Sequence, residues 1–327
     1  MPTLPETIAG ILKSSPDVLI VCHVGPDGDC LGGGLALALA CEAVGVRATV
    51  GSADGVPEAY AALPGASSIA TDPPAETRYS VGVAVECSTL DRAGSFADAL
   101  QRSRTLINID HHLSNAGYGN IVYWDTSAAA VGELIHEIVR ALGVGVTPAI
   151  AQCLLTAIVT DTGSFRFPNT TPRTLRLAAD LMERGSSVHA VVERVYETRT
   201  PGSLRLTGAA LRELTLSADG RIAWTVVTPE MLQKTGALTE DTAGLVGMLR
   251  QIRGVKVALL FEVTPAGVRV GIRSRDAVGS NVIAETFGGG GHKGAAGFTA
   301  QGELDDVIAR TLAEAEKELR AHSDAHA

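Results

Sequence analysis

The chain has 327 residues, 46% of them apolar but only 4% aromatic, and a formal net charge of −9. That length suits two domains with cores of Ala, Val, Leu and Ile. The acidic balance argues against gripping long duplex nucleic acid through the overall field, which needs dense Lys and Arg, but allows short anions in a local basic pocket.

The opening "MPTLPET" lacks the basic and apolar regions of a signal peptide. "VLIVCHV" reads as a buried strand. The apolar stretch after it, residues 31–46, is too short for a membrane span, carries Glu42, and reads as a buried helix over 31–44. "RATVGS", "VGVAVEC" and "TLINID" are further strands, with a helix near 95–102. Continuous apolar runs separated by helices predict a parallel sheet covered on both faces. From 128 to 214 the chain looks helical; in "AAAVGELIHEIVRAL", residues Val131, Leu134, Ile135, Ile138, Val139 and Leu142 recur at helix spacing. Beyond it, "RIAWTVVT" and "KVALLFEVTPAGVRVGIRS" alternate like strands, and "LDDVIARTLAEAEKEL" is a packing helix. The expected architecture is α/β. A doubly wound parallel-sheet domain spans 1–190, a linker helix 191–214 and a smaller α/β domain 215–327. The five cysteines include no Cys-x-x-Cys pair and read as reduced core thiols of a cytoplasmic protein.

Polar residues gather just after the predicted strands: His23, Asp27 and Asp29, then Glu86, then Asp110, His111 and His112. Asp161 follows another apolar segment. Open α/β sheets bind ligands outside the carboxyl ends of their strands. Carboxylates suit hard cations such as Mg²⁺ and Mn²⁺, and imidazole favours Mn²⁺, Fe²⁺ or Zn²⁺. A mixed set this large exceeds one ion and suits two, roughly 3.5–4 Å apart, as in centres that displace phosphoryl groups in line. Taken alone, "HVGPDGDC" would be an ordinary turn.

Together, "HVGPDGDCLG", "VECSTLDR", "NIDHHLSN" and "VTDTGSF" resemble the four ordered motifs of the DHH phosphoesterase superfamily. "GGGGHKGAAGF" (288–298) is similar to the substrate loop of the type 1 DHH-associated domain. The branch resembled is that of the oligoribonucleases (nanoRNases) and 3′-phosphoadenosine-5′-phosphate (pAp) phosphatases, which also holds phosphodiesterases of cyclic di-AMP and pApA. The resemblance implies His23 and Asp27 on one ion and Asp29 and His111 on the other, with Glu86 and Asp161 bridging. His112 would contact the phosphate, Asp110 would orient the histidines, and Arg92 would hold its loop or a phosphate. The ions implied are two divalent cations, manganese first, with magnesium or cobalt as alternatives. One departure stands out: the second motif normally carries Asp where this chain has Glu86.

In the second domain, four consecutive glycines allow the backbone to approach an anion, and His292 and Lys293 add donors. Arg273 and Arg275 are expected to share one face of a strand and grip phosphate. The resemblance adds Ser274, Gly290 and Gly291 to the grip on a terminal nucleotide. The partners expected are short single-stranded RNA or DNA oligonucleotides or nucleotide phosphates, not long duplex and not a membrane; a homodimer stays open. The alternatives are a cyclic di-AMP or pApA phosphodiesterase and a weakened nucleotide-binding regulator with Glu86 as its lesion. "HEIVR" lacks the second histidine of a zinc-protease helix, so His136 is expected to be solvated, like His189, His322 and His326. The arginines between Arg166 and Arg184 read as a charged helix face, with a lesser expectation that one reaches substrate.

Overall fold

The computed structural model describes residues 2–73, 78–242, 244–275 and 278–323, with backbone only at His292 and Ser323. The chain divides into two compact units, Met1–Thr198 and Arg199–Ala327.

The first unit runs α1 (Leu4–Lys13), β1 (Asp17–Cys22), α2 (Gly28–Ala43), β2 (Arg47–Gly51), β3 (Val81–Val85), α3 (Ala97–Arg102), β4 (Thr105–Asp110) and β5 (Ile121–Trp124). It continues through α4 (Val131–Ala141), α5 (Pro148–Asp161), α6 (Pro172–Glu183) and α7 (Val188–Val192). Its five strands are all parallel, in the order β2-β1-β3-β4-β5. Alternate residues of β1 go to opposite cores. Val18, Ile20 and Cys22 pack with α1, α2, α4 and α5, while Leu19 and Val21 pack with Phe96, Ala99 and Leu100. The sheet is therefore doubly wound. The chain leaves β1 toward β2 on one side and returns to β3 on the other, so the strand order reverses beside the carboxyl end of β1, where α/β sheets hold ligands.

Two local features depart from the expectation. Helix α2 begins at Gly28 rather than at 31, because Asp27 caps it and accepts from the backbone N–H of Asp29 and Cys30. Edge strand β5 is too short, and its Trp124 too exposed, to stand out in the sequence.

Helices α2 and α5 approach closely at Gly32. A Cβ there would lie 2.4 Å from the Cys153 carbonyl oxygen, a backbone atom that cannot swing aside. Gly32→Ala is expected to cost about 1–3 kcal/mol and lower Tm by roughly 2–10 °C. A melting curve unchanged by that substitution would contradict the packing.

The second unit runs α8 (Pro201–Arg212), β6 (Thr215–Leu216), β7 (Ile222–Val227), α9 (Pro229–Thr235), α10 (Leu245–Leu249), β8 (Val257–Thr264) and β9 (Gly267–Ser274). It ends with α11 (Ser280–Glu285), β10 (Gly290–His292), β11 (Ala295–Ala300) and α12 (Leu304–Ser323). Its mixed sheet has the order β10-β11-β9-β8-β7-β6, with β7 and β8 parallel and the other pairs antiparallel. One face packs a core that includes Val307 and Ala315 of α12, and the other a core that includes Leu206 of α8 and Leu249 of α10. Among the described residues, no helix is long and apolar enough to cross a membrane.

Candidate metal centre

Three strand ends and two helix ends of the first unit deliver its polar residues to one place. His23 follows β1, Glu86 follows β3, and Asp110 closes β4 ahead of His111 and His112. Asp27 caps α2, Asp29 lies in its first turn, and Asp161 ends α5. The helical start explains why Asp27 and Asp29 go to different partners: one stands outside the first turn and the other inside it.

Asp29 is buried, and its carboxylate accepts from the Val131 N–H (2.6 Å) and the Gly132 N–H (3.0 Å) at the start of α4. Those donors have no partner within their own helix, and the positive end of the helix favours the carboxylate. His111 Nε2 lies 3.5 Å from Asp29 Oδ2, 3.5 Å from Glu86 Oε1 and 3.7 Å from Asp161 Oδ2. Its Nδ1 is 3.1 Å from the Ala128 carbonyl, so the proton sits on Nδ1 and Nε2 presents its lone pair to the carboxylates. His23 is arranged likewise. Its Nδ1 faces the Val24 carbonyl at 2.9 Å, and its Nε2 lies 3.8 Å from Asp27 Oδ1 and 3.9 Å from Glu86 Oε2.

Glu86 therefore reaches both sides: Oε1 points to His111 and Oε2 to His23. It is buried, and Oε2 has no hydrogen-bond partner. Its backbone is left-handed, with φ +59°, which costs a non-glycine residue on the order of 1–2 kcal/mol and marks a site where the surroundings dictate the geometry. The N–H of Glu86 donates to the Ile109 carbonyl (2.9 Å), which fixes that turn against β4.

Asp110 works chiefly on His112. Its Oδ1 accepts from His112 Nδ1 (2.7 Å) and from the backbone N–H of His111 and His112 (2.7 and 3.0 Å), while Oδ2 accepts from Asn115 (2.6 Å). Burial alone would raise the Asp110 pKa, but the His112 hydrogen bond and charge, with Asn115, bring it down to about 2. The expectation that Asp110 orients both imidazoles is thus corrected: it holds the ring of His112, and the Ala128 carbonyl holds that of His111. The Arg92 carbonyl accepts from the Val24 N–H (2.8 Å) and so braces the His23 turn; its Nη2, a donor that cannot pair with a protonated Nδ1, lies 3.1 Å from His23 Nδ1.

The donor atoms fall into three overlapping groups, each with all its atoms within 4.8 Å of one another: His23, Asp27, Cys30 and Glu86; Asp29, His111 and Asp161; and Glu86, His111 and His112. Burial, then the neighbouring carboxylates, push the pKa of Asp29 and of Glu86 well above the usual range. Burial and Asp27 push that of Asp161 up to about 8. Packed carboxylates that raise one another, an orphaned buried Glu86 oxygen and two imidazoles with their distal nitrogens fixed form a donor set that fits two divalent cations.

Two of these contributors had little sequence signal. Asn169 donates to the Ala129 carbonyl (2.9 Å), the Asp161 carbonyl (3.1 Å) and Asp161 Oδ2 (3.4 Å), tying the end of α5 to the entry of α4. Cys30 was expected only as a core thiol. Arg166, Arg173 and Arg184 have partners within the unit: the Gly163 carbonyl, Glu133 with Glu137, and Asp180. His136 is half-buried beside Arg140, Asp180 and Arg184, rather than fully solvated as expected. His189 is exposed, His322 is half-buried against Glu318, and His326 lies outside the described residues.

In the second unit, the expectation for the arginine pair needs correction. Strand β9 ends at Ser274, so Arg275 is not on a strand face; it is exposed, with Nε donating to the Arg250 carbonyl at 2.9 Å. Arg273 is on the strand, and Nη1 donates to the Ile272 carbonyl at 2.9 Å. Ser274 is buried, its hydroxyl 2.7 Å from the Val278 carbonyl and 3.0 Å from the Lys293 carbonyl, with the Ser280 hydroxyl at 2.9 Å. It shapes the glycine loop and does not offer a free hydroxyl. Gly290 and Lys293 are exposed. Gly291 has φ +140°, and a Cβ there would lie 2.6 Å from the Ala295 carbonyl oxygen, so the hairpin requires glycine. The side chain of His292 lies outside the described residues.

Comparison with known proteins agrees with this picture. Residues 17–158 match the DHH family, N-terminal domain, and residues 222–321 match the DHHA1 domain. A Thermus thermophilus protein named bifunctional oligoribonuclease and PAP phosphatase NrnA is 35% identical over 326 residues, covering 95% of this chain and 93% of that one. Its Bacillus subtilis namesake is 30% identical over 236 residues, covering 71% and 74%. The crystal structure of an exopolyphosphatase-related protein from Bacteroides fragilis matches 96% of both chains with a TM-score of 0.90 at 22% identity, a likeness of fold. The chain belongs to the DHH family, with a DHHA1 domain after its DHH domain.

Proposed function

We propose that this protein is a metal-dependent phosphoesterase that hydrolyses short oligoribonucleotides to mononucleotides and pAp to AMP. The observation that carries the reading is Glu86, a buried carboxylate with one oxygen toward His23 and the other toward His111, between two sets of oxygen and nitrogen donors. The relatives named oligoribonuclease and PAP phosphatase support the substrate class.

In this reading His23 and Asp27 would hold one divalent cation and Asp29 and His111 the other, with the Glu86 and Asp161 carboxylates as their shared ligands. Such a pair, when bound, makes water nucleophilic at neutral pH and neutralises charge on the transferring phosphoryl group. The other residues position. The Val24 and Ala128 carbonyls fix the two ligating imidazoles, and the Arg92 carbonyl, accepting from the Val24 N–H, braces the turn of the first. His112, gripped by Asp110, presents its ring beside Glu86, 3.8 Å from Oε1, where it can hydrogen-bond a phosphoryl oxygen. As water adds to phosphorus it gives up a proton to solvent, the bond to the leaving nucleoside oxygen breaks, and that oxygen takes up a proton from solvent. In the second unit Arg273, Lys293, His292 and the Gly290–Gly291 backbone bind the terminal nucleotide, with Ser274 shaping their loop. Manganese is the proposed ion, with magnesium and cobalt to be compared.

The test is release of product from pAp, a dinucleotide RNA, pApA and cyclic di-AMP by metal-stripped protein supplied with each cation in turn. Turnover of the dinucleotide and of pAp with Mn²⁺, abolished by chelator, is expected. Cyclic di-AMP as the fastest substrate, or no turnover of any nucleotide with any cation, would overturn the reading.

A further inference from the structure

We infer that Cys30 is a metal-binding thiol in this chain, and that its sulfur raises the affinity of the His23 side of the centre for borderline cations such as Zn²⁺ and Co²⁺ more than for Mn²⁺ and Mg²⁺, without excluding turnover with Mn²⁺. The inference rests on the metal centre proposed above and concerns which ion that centre prefers.

The geometry is local and specific. Cys30 lies in the first turn of α2, three residues after the capping Asp27, and its backbone N–H donates to Asp27 Oδ1 at 3.1 Å. The cap thus locks the two residues together and sets the Cys30 side chain on the ligand side of the turn. Its Sγ forms one group with a nitrogen of His23 and carboxylate oxygens of Asp27 and Glu86, all within 4.8 Å of one another. Cys30 is fully buried, its sulfur 3.6 Å from the Asp27 carbonyl and within hydrogen-bonding reach of the His23 and Cys22 side chains.

A buried cysteine by itself is a small apolar core residue. Glu86 supplies the second, independent sign. Its Oε2, buried and without a hydrogen-bond partner, stands in the same group, where a cation would satisfy it. Neighbouring Cys22 shows the contrast. Its sulfur is spent on the Cys30 carbonyl at 3.2 Å and belongs to none of the donor groups found among the described residues.

The chemistry follows from ligand softness. Oxygen and imidazole donors alone leave Mn²⁺ and Mg²⁺ competitive, whereas a thiolate favours Zn²⁺ and Co²⁺ over both. On binding, the Sγ–H bond breaks, its proton goes to solvent, and the sulfur lone pair forms the bond to the ion; no electron is transferred.

The test titrates metal-stripped, full-length protein with Co²⁺ and reads the near-ultraviolet sulfur-to-cobalt charge-transfer band beside the visible d–d bands. The wild type is expected to show the sulfur band. Cys22→Ser and Cys87→Ser keep it; Cys30→Ser and Cys30→Ala lose it while retaining d–d bands from the other ligands. Zn²⁺ affinity measured by competition should fall in the Cys30 variants by at least the ~10–100-fold that loss of a supporting group costs, and Mn²⁺ affinity should fall less. A wild-type spectrum with d–d bands and no sulfur band, or a sulfur band that survives both Cys30 substitutions, overturns the inference and leaves the metal centre standing. Failure of the wild type to bind Co²⁺, Zn²⁺ or Mn²⁺ overturns both. Because the wild-type spectrum alone can refute the assignment, it stays falsifiable even where a Cys30 variant does not fold.

Discussion

Replacement of Glu86 by glutamine is expected to lower turnover of short oligonucleotides about a thousandfold or more, with little change in fold. The substitution keeps shape and length and removes one negative charge at a position that faces both His23 and His111. Charge stabilisation by a metal pair supplies several kcal/mol to phosphoryl transfer, and each ~1.4 kcal/mol is a factor of ten in rate. Stability should not fall, because the buried carboxylate raises the energy of the metal-free protein: burial and the charges of Asp27 and Asp29 oppose its ionisation. Glu86→Asp makes the finer comparison. Aspartate tolerates a left-handed backbone better than glutamate, and it is shorter by one methylene. Its turnover is expected within about tenfold of the wild type, which is ~1.4 kcal/mol. A glutamine variant as active as the wild type would remove Glu86 from the centre. An aspartate variant with a large gain in activity would show that the glutamate restrains catalysis, the mark of a weakened regulator.

Metal-stripped protein is expected to lose stability as pH rises from 5 to 8, and saturating divalent cation should reverse the trend. Asp161 titrates at about 8 in the fold against 3.8 as the ordinary value, raised by burial and by Asp27. Asp29 and Glu86 shift upward too, for the same reasons. Across that window the folded state holds protons that the unfolded chain has released, so stability falls with pH. His23 acts in the same sense: burial opposes its charge, but Cys30 and Asp27 outweigh it and its pKa is raised. His111, lowered chiefly by burial and by His112, acts in the opposite sense at the acid end. Asp110, down at about 2, titrates below the window. One proton of difference per pH unit is ~1.4 kcal/mol, so Tm should drop by roughly 3–6 °C for each pH unit. A cation at a hundred times its Kd restores about 2.7 kcal/mol, most at the alkaline end, where it no longer competes with protons. Thermal melts at pH 5 and 8, with chelator and with Mn²⁺, check both limbs. A metal-free Tm that rises toward pH 8 would contradict the electrostatics.

The strands that carry the centre were legible in the sequence because β1, β3 and β4 are buried on both faces and read as unbroken apolar runs. The clustering of polar residues was legible too, since His23, Asp27, Glu86 and the Asp110–His112 run each follow such a segment. The division of labour came only from the family resemblance: as residues, Asp27 and Asp29 look equivalent in "PDGDC" until the cap leaves Asp27 outside α2's first turn and Asp29 within it. The groups that hold the histidines are largely backbone carbonyls, Val24 and Ala128, which no side-chain pattern reveals. Glu86 could be read as a longer substitute for Asp, but not as a left-handed residue whose two oxygens face opposite histidines. Arg275 misled because strand alternation was extended one residue past the end of β9. Cys30 was obscured by composition, which makes buried thiols look alike.

The most direct measurement is the initial rate on 5′-labelled RNAs of two, five and twenty-four nucleotides with Mn²⁺, at equal molar concentration of ends. The dinucleotide should be cleaved fastest and the longest RNA slowest, with every rate abolished by chelator. Equal or faster cleavage of the twenty-four-nucleotide RNA, or rates that survive chelation, would contradict a two-cation phosphoesterase of short oligonucleotides.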